Sequence, residues 1–168
     1  SWAMHALLPL LLVLSTPSPA SERHTPVVKA VQRAAPYVVS IQTETLDQNP
    51  FSMWRGTRVN ASAGSGVILG EDGVILTNAH VVEGARAIQV HTADGTTWEA
   101  TLLGLDSDLD LAVLQVEAED LATVPLGTSE DLMLGETVIA IGNPYGLDQT
   151  VTVGVVSQVS RELELRPG

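Results

Sequence analysis

From Gly64 onward the chain is broken into short apolar runs by turn residues, and that rhythm restricts the fold more than any other feature. Gly64-Ser65-Gly66-Val67-Ile68-Leu69 passes through Glu71-Asp72-Gly73 into Val74-Ile75-Leu76. Ala87-Ile88-Gln89-Val90-His91 passes through Ala93-Asp94-Gly95 into Thr96 to Leu103. Each pair reads as a hairpin, because Asp-Gly tolerates the positive φ that a tight hairpin turn needs. Further strands are expected over Leu111 to Val116, over Val138 to Pro144 and over Thr150 to Val159, Ser157 among them, with Ser160 just beyond and also placed on strand. Short strands at this spacing, separated by turn signals, make the chain all-β, a barrel or a sandwich.

The segments around this core have their own signatures. Met4 to Ala20 reads as a secretory signal, with an apolar centre at Ala6 to Leu14 and a small-residue cleavage site at Ser18-Pro19-Ala20. It is too short to span a bilayer comfortably. A buried N-terminal helix or an uncleaved anchor is the alternative, and Ser1-Trp2-Ala3 before Met4 look like an upstream extension or a cloning scar. A short helix is expected from Thr25 to Ala35, with Pro26 near its start and Val27, Val28 and Val31 on one side. Pro36 ends it, and Tyr37 to Thr43 is the first strand. Glu44 to Ala63 is then a long polar loop holding Phe51, Trp54, Arg55 and Arg58. A loop of that length is usually functional or mobile, although its aromatic pair fits equally well a patch folded onto its own body. Ala118 to Glu136, with Pro125 and Gly127, is a connector.

Composition bounds the chemistry. The chain has 168 residues, 45% of them apolar, enough for one ordinary domain or two small barrels sharing a core. Eight Lys and Arg against 20 Asp and Glu give a net charge of −12. No basic cluster exists to neutralise phosphates, so nucleic acid is excluded as a partner, and the acidity is a solvated surface. The absence of cysteine excludes disulfides, thiolate zinc sites and a cysteine nucleophile together. No cofactor and no metal are implied.

Two stretches carry reactive residues. In Thr77-Asn78-Ala79-His80-Val81-Val82 a histidine follows an apolar run and is expected at the end of a strand. In Asp106-Ser107-Asp108-Leu109-Asp110-Leu111 the third carboxylate stands at the mouth of the next strand. A histidine followed by an aspartate is the chain order in which a chymotrypsin-like triad begins, the serine coming last. In such a triad the imidazole takes the serine's proton, and a buried carboxylate fixes the ring's tautomer and stabilises the imidazolium. His80 and Asp110 suit those roles, against the plainer possibility that a lone histidine at a strand end is structural. Asp106, Asp108, Asp110 and Glu117 also fall at positions 1, 3, 5 and 12 of a calcium loop, but Leu111 stands where that loop needs glycine. Asp106 and Asp108 are then solvated turn residues, and His5, His24 and His91 are leader or surface residues.

Four words in order resemble the HtrA/Deg family of trypsin-like envelope proteases. They are Gly64 to Ile68, Ile75 to Val82, Ser107 to Leu114, and Ala140 to Leu147 with Thr150 to Ser157, spread over roughly residues 36 to 161. The resemblance implies a chymotrypsin/trypsin-like double β-barrel, the first barrel complete and the second truncated. A signal peptide would occupy 1–20, an N-terminal segment 21–35, the first barrel 36–126, and the start of the second barrel 127–168. It makes His80 the general base and Asp110 the residue that orients it. The family's nucleophile lies in a Gly-Asn-Ser-Gly-Gly word that does not occur up to Gly168. Ser65, before His80 and in a turn leading into a strand, Ser157 and Ser160 are not candidates. The implied activity is that of a serine endopeptidase of unfolded or damaged envelope proteins, acting through an acyl-enzyme. The implied assembly is a homotrimer, without nucleic acid or a membrane span, and the location is periplasmic or secreted. These 168 residues alone are expected to be inactive. The alternative is a non-catalytic chaperone or peptide-binding scaffold on the same fold.

Overall fold

A computed structural model describes residues 23–46, 59–143 and 149–159. The signal-like stretch, the loop aromatics, Pro144 to Leu147, Ser160 and the last eight residues lie outside the described residues.

Helix α1, Pro26–Ala34, begins where the sequence places it. Thr25 is its N-cap and accepts a hydrogen bond from the Val28 amide at 3.3 Å, and Pro26 fills the first turn, where its missing N–H costs nothing. A 3-10 turn, Ala35–Tyr37, then leads into the first strand.

Six strands close into an antiparallel barrel: β1 (Val38–Leu46), β2 (Val59–Ile68), β3 (Val74–Thr77), β4 (Ala87–His91), β5 (Thr97–Asp106) and β6 (Leu111–Val116). Their order around the barrel is β1-β2-β3-β6-β5-β4, closed by the pairing of β4 with β1. Period-2 alternation turns one set of side chains inward on each strand. Val39, Ile41, Ile68, Ile75, Ile88, Val90, Ala112, Leu114 and Val116 form the core, with Trp98 and Ala100 packed against it. Closure leaves the barrel without a free edge. A bulge between Leu102 and Gly104 interrupts the β5–β6 register, and Leu102, Leu103 and Leu105 on that half of β5 are exposed.

The first hairpin depends on Gly73. Its φ of +94 and its approach to Val116, whose carbonyl oxygen would lie 2.2 Å from an added Cβ, leave room for no side chain. This is the physical content of the Asp-Gly signal.

After the connector, β7 (Thr137–Gly142) and β8 (Thr150–Val155) pair antiparallel as a separate two-stranded sheet. The sheet is tied to the barrel by the Asn143 amide, which donates to Ser65 Oγ at 2.7 Å, and to the 3-10 turn by Gln149, whose Nε2 donates to the Ala35 carbonyl at 3.2 Å. All residues of β8 are exposed.

Several expectations need correction. The expected loop from Glu44 to Ala63 is strand at both ends: β1 continues to Leu46 and β2 starts at Val59, with Glu44 opposite Ala61 and Thr45 opposite Asn60. Polar residues there face outward while the backbone ladder continues, so polarity did not mean loop. Ser65 lies inside β2 rather than in a turn, and Ser157 lies beyond the end of β8. His91 is half-buried rather than on the surface. Its Nδ1 is 2.8 Å from Thr97 Oγ1, and its buried Nε2 has no hydrogen-bond partner among the described residues.

Candidate active site

His80 stands on a single helical turn, α2 (Ala79–Val82), that follows β3 directly, so it is presented by a helix and not by the strand end the sequence suggested. The reason is local packing. Ala79, Val81 and Val82 are drawn into the core, and the Val81 carbonyl accepts the hydroxyl of buried Thr43 at 3.3 Å. With its neighbours on both sides anchored inward, His80 is pushed out, its side chain 71% exposed.

Asp110 comes from the other side of the barrel wall, in the turn between β5 and β6. β3 and β6 are neighbours, with Thr77 opposite Ala112, which brings the two turns to one rim. Asp106 Oδ1 accepts the Leu109 amide at 2.9 Å and so shapes the turn. Asp110 adopts φ +52, a left-handed conformation that aspartate tolerates better than most residues. Asp108 is an exposed turn residue, but Asp106 ends β5 opposite Leu111 rather than lying in the turn, and Leu111 continues as strand, so the calcium-loop spacing has no structural counterpart.

The two residues meet. His80 Nδ1 is 2.9 Å from Asp110 Oδ1 and 2.8 Å from Oδ2, and the His80 backbone amide donates to Oδ1 at 3.0 Å. These bonds hold the Asp110 carboxyl below the usual carboxylate range: the His80 amide contributes most, the His80 ring next, and Asn78 also contributes. An ionised carboxylate can only accept, so in the neutral ring the proton between the residues belongs on Nδ1, which leaves Nε2 with its lone pair. Among the described residues nothing hydrogen-bonds Nε2. The arrangement offers a base directed outward from the barrel and a fixed anion behind it. Because Asp110 is 44% exposed, the ion pair is a weak source of stability, and its value lies in orientation.

Sequence reasoning missed Asn78. Its Nδ2 donates to the Asp110 carbonyl at 3.0 Å and to Oδ2 at 3.2 Å. Its position between a strand and a helix suggests a cap, which is the wrong job. Thr77 also matters, since its Oγ1 donates to the Ser65 carbonyl at 2.8 Å and locks β3 to β2 immediately before the site. A cleft of about 420 Å³ between the barrel and β7 reaches Asn78 and is lined by Ser65, Thr77, Leu111, Ile139 and Ile141 among others, but His80 and Asp110 do not line it.

A closed antiparallel barrel with a histidine and a carboxylate paired on one rim is the frame of a trypsin-like peptidase. The chain belongs to that family: the model of the trypsin-like peptidase domain matches residues 64–167.

Within the family it is of the HtrA type. A DegP-like periplasmic serine endoprotease of Halomonas elongata is 38% identical over 91% of this chain and 39% of its own length. The chloroplastic Protease Do-like 1 of Arabidopsis thaliana is 40% identical over 90% of this chain and 35% of its own. A solved HtrA-type protease, an AlgW variant with a decapeptide, matches at a TM-score of 0.74 and 36% identity, covering 84% of this chain and 48% of that one. This chain thus spans less than two fifths of the length of those two relatives.

Proposed function

We propose that His80 and Asp110 are the general base and its orienting carboxylate in a serine endopeptidase. The observation that carries this is the Nδ1 contact to both Asp110 oxygens at 2.9 and 2.8 Å, which leaves Nε2 as the free acceptor. A serine hydroxyl placed against Nε2 loses its proton to the ring as it attacks the scissile carbonyl. The ring, now an imidazolium facing the Asp110 anion, returns the proton to the leaving amine. A water activated by the same nitrogen then releases the acyl group. The carboxylate stays ionised throughout, which its lowered pKa favours.

The substrates are polypeptides in extended or unfolded form. The solved relative with a decapeptide supports a peptide as the bound species. The location is the bacterial envelope, supported by the signal-like N-terminal stretch and by a relative named as periplasmic. No helix among the described residues is long and apolar enough to cross a membrane. The working assembly is a homotrimer.

The test is hydrolysis of unfolded casein by the gene product that contains this chain. Turnover abolished by His80→Ala supports the proposal. Equal turnover with and without His80 would sink it.

A further inference from the structure

We propose that Asn78 is a positioning residue: it fixes the Asp110 carboxylate so that His80 holds its proton on Nδ1. Its catalytic meaning rests on the peptidase function proposed above, but the structural role can be tested alone.

Three observations converge. First, the Asn78 side chain reaches two acceptors, the Asp110 carbonyl at 3.0 Å and Oδ2 at 3.2 Å. Only the NH2 end of the amide can serve both, which settles its orientation. One side chain therefore ties down Asp110 at the backbone and at the carboxylate together. Second, Asn78 occupies the N-cap position of α2, with extended φ −83 and ψ 146, yet its side chain makes no capping bond. Asparagine is among the best N-cap residues, so an ordinary Asn here would accept from the amides of α2. Instead Asp110 Oδ1 accepts the His80 amide at 3.0 Å. The aspartate caps the helix and the asparagine holds the aspartate. Third, Asp110 sits at φ +52 in an exposed turn, where little else restrains it. Its described side-chain partners are His80 and Asn78.

The consequence follows from the tautomer. Without Asn78 the carboxylate is held only by His80 itself, so it turns toward water more readily and Nδ1–H loses part of its fixed acceptor. An exposed neutral histidine then favours the proton on Nε2, the atom that must stay bare to take a proton from a nucleophile. Asn78 thus acts on His80 through Asp110.

The experiment is long-range 1H–15N NMR on the chain with 15N-labelled histidine, at a pH where imidazole is neutral. Expected for the unsubstituted chain is His80 predominantly as Nδ1–H. In Asn78→Ala the Nδ1–H to Nε2–H ratio of His80 should fall severalfold, while His91, held by Thr97 on the barrel, keeps its signals and reports an intact fold. Asn78→Leu keeps the side-chain volume and removes the donors, so it must give the same shift and serves if the alanine variant folds poorly. A His80 tautomer ratio unchanged in the variants, with His91 unperturbed, overturns the proposal. So does an unsubstituted chain in which His80 is mainly Nε2–H. Because the readout needs no turnover, a peptidase function that fails in the casein assay leaves this result standing, and the reverse also holds.

Discussion

Gly64→Ala probes how the barrel carries His80. Gly64 is buried in β2 and faces α2, where an added Cβ would lie 2.6 Å from both methyls of Val81 and 3.2 Å from its Cβ. Carbon atoms in contact prefer about 3.5–4.0 Å, so roughly an ångström of relief is needed. Valine is stiff at χ1 and Val81 is only 8% exposed, so the relief must come largely from α2 itself. Overpacking of this kind costs about 1–3 kcal/mol. Replacing a strand glycine by alanine returns about 0.5–1 kcal/mol. The net loss should be about 1–2 kcal/mol, which at about 2–4 °C per kcal/mol for a chain of this size is a drop of about 2–8 °C in Tm. Gly104→Ala is the control, because its Cβ would meet nothing within 4 Å, so only the strand gain remains and its stability should rise by about 0.5–1 kcal/mol over the parent. Thermal and urea melts followed by circular dichroism measure both. Identical melting of the two variants would refute the close approach of α2 to β2 on which the placement of His80 depends.

Leu114→Ala empties the centre of the barrel, since Leu114 is fully buried among core side chains, and should cost about 2–5 kcal/mol in urea unfolding. Asp110 has a folded pKa below its unfolded value, so its contribution is present above about pH 4 and is lost as pH falls through the folded value. Asp110→Asn should therefore flatten the acid limb of a plot of urea midpoint against pH, below about pH 4. An acid limb as steep as the parent's would contradict the pairing with His80.

Much of the fold was legible because backbone and side chain gave the same message. At Gly73 and Gly95 the positive φ of the turn and the Asp-Gly pair coincide, and strands β3 to β6 begin and end close to where the apolar runs do. The ends of β1 and β2 were hidden because Gln42, Glu44, Asn60 and Ser62 are exposed, and the ladder there is held by main-chain pairing that polarity does not report. His80 and Asp110 could be singled out from the words around them, but not the helical turn under His80. Four residues are too few to display a helical period, and what shapes α2 is burial of Ala79, Val81 and Val82. Asn78 was out of reach for a related reason. Its partner lies 32 residues away, and a local rule assigns it to the helix it precedes.

The account rests on His80 and Asp110 acting as one unit, and the labelling rate of the gene product by a fluorophosphonate, which reacts only with an activated serine, tests that most directly. His80→Ala and Asp110→Asn should each slow labelling by roughly 10³-fold or more, and the double variant should be no slower than His80→Ala alone, because members of a catalytic unit are not additive. Labelling that proceeds at the parent rate without His80, or losses that simply multiply in the double variant, would contradict it.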